Sequence, residues 1–557
     1  MEEKLFVIAI GGTGMRCLES FVHLCAIGMF DNKEIEILTL DTDQANGNMG
    51  RTWNLINTYN QVKSENGRQN GGTPNTNTFF SSKLNIFKFY INYSSAQRNT
   101  YKNISKLGEG DERANRHNEM ISDLFLDKET VQEFNLEHGY RAQTHLGSHL
   151  MYHGILEAAR KIRKGGELGK PEIDLKEFLA KLQSAGDSAR VFVFGSVFGG
   201  TGASSIPIIP VAFREAIGII GNDNEKFDPK KIKFGSTLLT EYFSFTKPNQ
   251  NQLSEKKNSV IADSSFFPIN SQAALQFYQN DPTVQSVYNK MYHIGWPMES
   301  RSLLEEKDNN TITGGSTQKN NCHILELMCA SAALEFFDTA NYENTDKIEY
   351  LFRAIKYENG IFNLTSPDFV GSEKGDVFLN KLGAFLSFAH IVLSMNEGGK
   401  GESGTKGFIT QLDKNNIKDY NTITVDETKQ IDEYLRLFAY SFSPENLFVP
   451  GWIYQIRNSI LPGNFLFNKD AFKESYKELR NLDVGNLFLD NKNNWNSDSI
   501  KIFSSKAKIR YDNFITILTK DSKDSKDGSN QAVNSTKEKF LALIYNSILI
   551  SQNFIKK

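Results

Sequence analysis

Twice in this chain a short apolar run stops at Gly-Gly-Thr-Gly and resumes as a helix. The first is Leu5 to Ile10 (LFVIAI), followed at once by Gly11-Gly12-Thr13-Gly14. The second lies in Arg190 to Pro207 (RVFVFGSVFGGTGASSIP), where Val191 to Phe194 lead through Gly195 to Gly199-Gly200-Thr201-Gly202 and Ala203-Ser204-Ser205. Four to six consecutive apolar residues read as a strand buried on both faces, the kind found in parallel sheets. A strand that ends in a glycine turn and re-enters as a helix leaves a row of backbone N–H groups facing the gap. Those donors and the positive end of the helix dipole suit a phosphate. Glycine is needed where the anion approaches backbone that has no room for a Cβ. A single turn of this kind also serves as a plain tight connection; two of them constrain the fold much further.

The elements between and after the turns extend the same pattern. Met15 to Met29 has helical periodicity, with Leu18, Phe21, Val22, Cys25 and Ala26 on one face. A second strand, Ile35 to Leu40, closes on Asp41-Thr42-Asp43. Strand, helix and strand in this order make the start of an α/β unit with a parallel sheet. Residues 44 to 118 are polar and read as a long loop or insertion, with aromatic-rich Phe79 to Tyr93 as a strand pair or packed flap. Helices are expected at His145 to Lys161, Glu172 to Leu182 and Val211 to Ile220, and strands at Lys233 to Leu239 and Met291 to Gly295. Ile324 to Phe337 (ILELMCASAALEFF) is hydrophobic nearly all round, so it is expected between two layers. From about residue 357 the chain reads as a second α/β domain. It has helices at Phe378 to Met395 and Glu427 to Tyr440 and a flexible break at Glu397 to Gly407. Lys520 to Gln531 is a charged linker. Ser535 to Glu538 forms a capping box for an amphipathic helix over Phe540 to Ile555, expected to dock on the body.

Composition excludes several classes. With 557 residues the chain has room for two to four domains, and 39% hydrophobic residues suffice for sizeable cores. A net charge of −3 with no strongly basic half gives no nucleic-acid footprint. No window supplies about 18 uninterrupted apolar residues, so no membrane span is expected, and MEEKLFVIAIGG does not read as a signal peptide. Cys17, Cys25, Cys322 and Cys329 lie in apolar runs without metal-ligand spacing and read as buried free thiols of a cytoplasmic protein. His145, His149 and His153 share a helix face, with His138 nearby. No acid or cysteine completes a metal set, which favours polar packing or phosphate contact.

Two readings of the glycine turns compete. Gly12-Thr13-Gly14 before a helix, with an acid closing the second strand, resembles a dinucleotide fingerprint and an NAD(P)-linked oxidoreductase. Cys17 stands where the third glycine belongs, however, and that reading leaves the second Gly-Gly-Thr-Gly unused. Taken in order, the motifs resemble the tubulin/FtsZ superfamily, in particular the divergent bacterial tubulin-like proteins. Phe198 to Ala203 (FGGTGA) is similar to the family's GGGTGTG-like loop, and Leu40 to Asn46 (LDTDQAN) to its NTDAQAL segment. Thr240 to Lys247 (TEYFSFTK) is similar to TKPFNFEG, and Asn344 to Glu349 falls where the family carries N-x-D-x-x-D. The resemblance spans roughly residues 1 to 360.

The resemblance implies an α/β fold: a Rossmann-like parallel-sheet nucleotide-binding domain over 1–320 with insertions at 44–118 and 250–320. A long buried central helix at 321–345, a smaller α/β C-terminal domain at 346–518, a linker at 519–534 and a terminal helix at 535–557 follow. It implies a GTPase with GTP/GDP and Mg2+ as ligands, Gly11 to Gly14 on the α/β-phosphates and Gly199 to Ser204 (with Gly200, Thr201, Gly202 and Ala203) around the β/γ end. Asp43, with Asp41 and Thr42 beside it, would reach Mg2+ through water. Asp346 and Glu349, with Asn344, would orient the attacking water on a neighbouring subunit in a head-to-tail filament. Thr240, Phe243 and Thr246 would line the nucleotide, and Asn321 and His323 the base. Two departures bear on the base: Thr246 replaces a ribose-contacting glutamate, and Asn321-Cys322-His323 replaces the guanine-reading Asn/Asp pair. A nucleotide-dependent scaffold or switch with little hydrolysis, contacting other bacterial proteins through its insertions or terminal helix, is the alternative.

Overall fold

The computed structural model describes residues 3–43, 46–64, 72–91, 120, 124, 144–221, 228, 231–245, 264–297, 302–304, 318, 320–339, 347–354, 356–358, 361–363, 367–395, 403–443, 445, 448–459 and 535–555. Its first nine strands in chain order are β1 (Lys4–Ile10), β2 (Glu34–Asp41), β3 (Lys83–Tyr90), β4 (Ala189–Phe194), β5 (Lys233–Leu239), β6 (Phe243–Phe245), β7 (Tyr288–Gly295), β8 (Ser302–Leu304) and β9 (Glu349–Ala354). Two short hairpins, Lys356–Glu358 with Ile361–Asn363 and Tyr440–Phe442 with Phe448–Pro450, follow. Seven of them form one all-parallel sheet in the order β3-β2-β1-β4-β5-β7-β9, and β6 pairs with β8 beside it.

The alternation of side chains along each strand feeds two separate cores. In β1, Leu5, Val7 and Ala9 face one layer, and Phe6, Ile8 and Ile10 face the other. β4 does the same with Phe192 and Phe194 against Val191 and Val193. This is why both strands read as continuous apolar runs. The first layer holds α1 (Gly11–Ala26) and α2 (Gly47–Lys63). The second holds α3 (Thr144–Lys164), α4 (Lys170–Ala185), the five-residue α5 (Thr201–Ser205) with α6 (Ile209–Gly221), α7 (Phe267–Asn280) and α8 (Pro282–Val287).

α9 (Ile324–Asp338) lies on the first side, and every residue from Ile324 to Leu334 is buried. Phe336 packs on Phe192 with ring centroids 5.4 Å apart. The room for it comes from Gly235, where a Cβ would stand 2.6 Å from the Phe336 ring. Further out, α10 (Pro367–Ser394), α11 (Gly404–Lys414), α12 (Val425–Phe438), α13 (Trp452–Ser459) and α14 (Thr536–Ile555) cover α9, α1 and α2. The expected burial of α9 between two layers is what the fold contains.

Four expectations change. Within the supposed loop over 44–118, α2 forms a full helix: Asn46 caps it, its Oδ1 accepting from Asn48 N–H (2.9 Å) and Met49 N–H (3.2 Å). Met49, Leu55, Ile56, Tyr59 and Val62 form its inner face. Phe79 to Tyr93 contributes one parallel edge strand, β3, not a strand pair. α11 begins at Gly404, inside the break expected over Glu397 to Gly407: Ser403 Oγ caps it and the Asp432 carboxylate accepts from Gly404 and Thr405 N–H, while 397–402 lie outside the described residues. The described part of 346–518 is largely helical and shares one core with α1, α2 and α9; a separate core for a second α/β domain is not found among the described residues. α14 docks on the body, as expected, through Phe540, Leu541, Ile544 and Ile548, with Lys537 Nζ on Ser64 O at 2.8 Å. The charged linker lies outside the described residues.

Candidate functional site

Strand order reverses between β1 and β4: the chain builds outward from β1 through β2 to β3, then returns to the other side of β1. In an open parallel sheet such a switch leaves a crevice outside the carboxyl ends of the two central strands. Both Gly-Gly-Thr-Gly turns fall there, since β1 runs into Gly11 and β4 into the turn before α5. The turns interlock. Gly11, at φ +66°, lies against Thr201, where a Cβ would come within 3.1 Å of the threonine Cβ. A Cβ on Gly14 would stand 2.6 Å from Phe194 O, and one on Gly202 would stand 2.6 Å from Ser196 O. Gly12, Thr13, Gly199, Gly200 and Thr201 stay partly exposed and form the mouth, while Gly202, Ala203 and Ser204 are buried beneath it. No side chain caps the amino end of α1, so its first-turn N–H groups have no side-chain acceptor there.

The end of β2 forms the next wall. Asp41 Oδ1 accepts the N–H groups of Thr42 (2.8 Å) and Asp43 (3.2 Å), which folds the strand end into a tight turn. Burial, with the Asp43 carboxylate close by, raises the Asp41 carboxyl to about 7. Asp43 is itself buried, and Thr42 Oγ1 is a buried hydroxyl with no hydrogen-bond partner.

A wall of carboxamides stands over Gly12. Asn46 Nδ2 donates to Gln318 Oε1 (2.8 Å), and Asn48 and Asn320 pair reciprocally at 3.1 Å in both directions. A Cβ on Gly12 would lie 3.3 Å from Asn46 Nδ2 and 3.6 Å from Gln318 Oε1. Behind them Arg51 bridges Glu19 and Asn320 O, and Arg16 holds Glu326 and Asn321 O. Burial, the largest single influence on Arg16, disfavours its charge, and Glu326, Tyr242 and Cys322 together outweigh it, which keeps the guanidinium protonated. Tyr242 OH adds a 2.7 Å hydrogen bond to Glu326. Of these partners, Asn321 and Asn46 (the end of the LDTDQAN segment) were singled out from sequence, and the others were not.

The remaining candidates divide by location. Asn321 is exposed at this wall. His323 instead caps α9, its Nδ1 accepting from Leu325 N–H at 3.3 Å, and lies between Tyr242 and Trp296 with ring centroids 4.8 and 4.6 Å away. Burial holds it neutral, and a base contact would require that aromatic cage to open. Thr240 Oγ1 bonds Ile294 O (3.1 Å), and Phe243 packs on Phe198 behind the second turn. Ser204 Oγ turns back to Thr201 O at 2.9 Å. Glu349 begins β9 and therefore lies at the opposite, amino-terminal edge of the sheet, exposed and paired with Lys290 at 3.1 Å. Asn344, Asp346 and Thr246 lie outside the described residues, as does His138. His149 and His153 contact one another at 4.4 Å, and burial together with His153 lowers His149 to about 4.

Among the described residues no group of three or more His, Cys, Asp or Glu side chains is placed to hold a metal ion, and no helix is long and apolar enough to cross a membrane. No family model, curated protein or solved structure matches the chain.

Proposed function

We propose that the crevice binds a nucleoside triphosphate, GTP by the resemblance of its motifs, and that the protein is a GTPase of the tubulin/FtsZ type. One observation carries the reading: two glycine turns 188 residues apart in the sequence (Gly11 and Gly199) meet at one strand-order switch. In each turn a glycine lies where a Cβ would press on its neighbours: Gly11 and Gly14 in the first, Gly202 in the second. The residues fit a polyphosphate: half-open Gly12, Thr13, Gly199 and Gly200, the uncapped amino end of α1, and the unpartnered Thr42 hydroxyl at the wall. Asp43, with Asp41 beside it, would hold a Mg2+ through water, and the ion would supply charge neutralisation at the phosphates.

Within one subunit Glu349 cannot serve the crevice, because it lies at the other edge of the sheet. Head-to-tail contact with a second copy is the arrangement that would bring it there, and such a contact propagates instead of closing. The pairing of Glu349 with Lys290 in the same chain favours a second reading, a nucleotide-dependent scaffold that hydrolyses slowly.

Titration calorimetry with GTP, GDP and ATP in the presence of Mg2+ tests the binding. Gly199→Val is the informative variant: its Cβ would meet only Ser196 Oγ at 3.4 Å, so the fold stands while the approach to the turn narrows. Binding to wild type and its loss in this variant are expected. Absence of binding by any of the three nucleotides sinks the proposal.

A further inference from the structure

The segment that follows the second glycine turn contains two prolines that break its own hydrogen-bond ladder. In a helix each carbonyl accepts from the N–H four residues on. For Ala203 O that residue is Pro207, and for Ile206 O it is Pro210, neither of which has an N–H. Ala203 and Ile206 are both buried, and a buried carbonyl left unpaired is costly. Both are satisfied from elsewhere. Tyr278 OH, on α7, donates to Ala203 O at 2.6 Å, and Tyr288 OH, at the start of β7, donates to Ile206 O at 2.6 Å. Ser148 Oγ, from α3, donates to the intervening Ser204 O at 2.7 Å. Three hydroxyls from three elements thus clasp the five-residue helix and the Ile206 carbonyl just past it, where the backbone itself adds Ile208 N–H on Ser205 O at 3.1 Å.

We infer that Tyr278 and Tyr288 are positioning residues for the Gly199–Gly202 turn, each replacing the hydrogen bond that one particular proline removes. The clasp fixes how α5 leaves the turn. Gly202 lies so close to Ser196 that an added Cβ would stand 2.6 Å from Ser196 O and 2.8 Å from Ser196 N, so a rotation of α5 has little room at this point and is expected to displace the neighbouring amides of Gly199 and Gly200. The inference deepens the nucleotide reading and rests on it for its ligand arm only.

The test uses the compensation itself. Tyr278→Phe removes the hydroxyl without changing the ring that packs beneath α5. Amide hydrogen exchange over residues 199–206 is expected to accelerate, and the affinity for a fluorescent methylanthraniloyl-GTP to fall about tenfold, the scale set by one unpaired buried carbonyl. Adding Pro207→Ala returns an N–H four residues beyond Ala203 and is expected to restore both readouts. Adding Pro210→Ala is expected to restore neither. The converse pairing holds for Tyr288→Phe, rescued by Pro210→Ala and not by Pro207→Ala; it carries the test if Tyr278→Phe does not fold. A packing role for the rings would show no such pairwise rescue. Unchanged exchange in Tyr278→Phe, or equal rescue by both proline changes, overturns the inference. If the wild type binds no nucleotide, the proposed function falls while the exchange arm still decides the role of the tyrosines.

Discussion

Asp41 shows how closely the crevice wall is balanced. Its carboxyl is raised from 3.8 to about 7 by burial and by Asp43, so the folded state holds a proton that the unfolded chain releases. The stabilisation is complete below the unfolded value and is lost as pH rises through the folded one. Asp41→Asn keeps an oxygen for the Thr42 and Asp43 N–H groups and removes the titration. It should therefore have a higher Tm than wild type at pH 8, with the difference closing as pH falls toward 4; equal Tm differences at both pH values would refute the assignment. At Gly202 the constraint is steric. A methyl group would stand 2.6 Å from Ser196 O and 2.8 Å from Ser196 N, both backbone atoms that cannot swing away. Gly202→Ala should cost about 1–3 kcal/mol in urea denaturation.

At the scale of elements, α1 and α9 are joined across the crevice floor by a buried ion pair. Arg16 is 4% exposed and Glu326 is fully buried, and Tyr242 and the His323 N–H fill the remaining carboxylate positions. Such a pair adds little over an apolar replacement, but removing one member strands the other charge. Glu326→Gln should lower stability by about 3–5 kcal/mol, and Arg16→Met with Glu326→Leu should recover most of it, both read by denaturant titration. Arg16 also donates to Asn321 O, next to the Asn320 of the carboxamide wall, so the same arginine ties that wall to the amino end of α9. α11 is held by a different device, the Asp432 carboxylate of α12 receiving two N–H groups and the Thr405 hydroxyl at its amino end. Asp432→Ala should raise amide exchange through Gly404–Lys414 and leave the sheet protected.

For the whole molecule, the parallel sheet puts the crevice and Glu349 at opposite edges. On the proposed function, hydrolysis then requires two copies. Phosphate release per subunit should rise with protein concentration, and Glu349→Gln should suppress the rise while leaving nucleotide affinity unchanged. A specific rate that stays constant from dilute to concentrated protein would instead support hydrolysis within one subunit, or none that depends on assembly.

The α/β class, the two glycine turns and the buried helix α9 were legible from residue order alone. Each depends on local chemistry: unbroken apolar runs for strands buried on both faces, glycine where a Cβ has no room, and apolarity all round for a helix enclosed by layers. α2 was missed because its inner face of Met49, Leu55, Ile56, Tyr59 and Val62 is diluted by asparagines, and its cap, Asn46, reads equally well as a loop residue. α11 was missed because Asp432 completes its amino end from 28 positions away. What only the tertiary structure decided is the meeting of distant partners: Gly11 against Thr201, Asn48 with Asn320, Arg16 with Glu326, and two tyrosine hydroxyls where prolines leave carbonyls bare. Sequence spacing sets which donors a helix lacks, but only the packing of layers determines which side chain arrives to replace them.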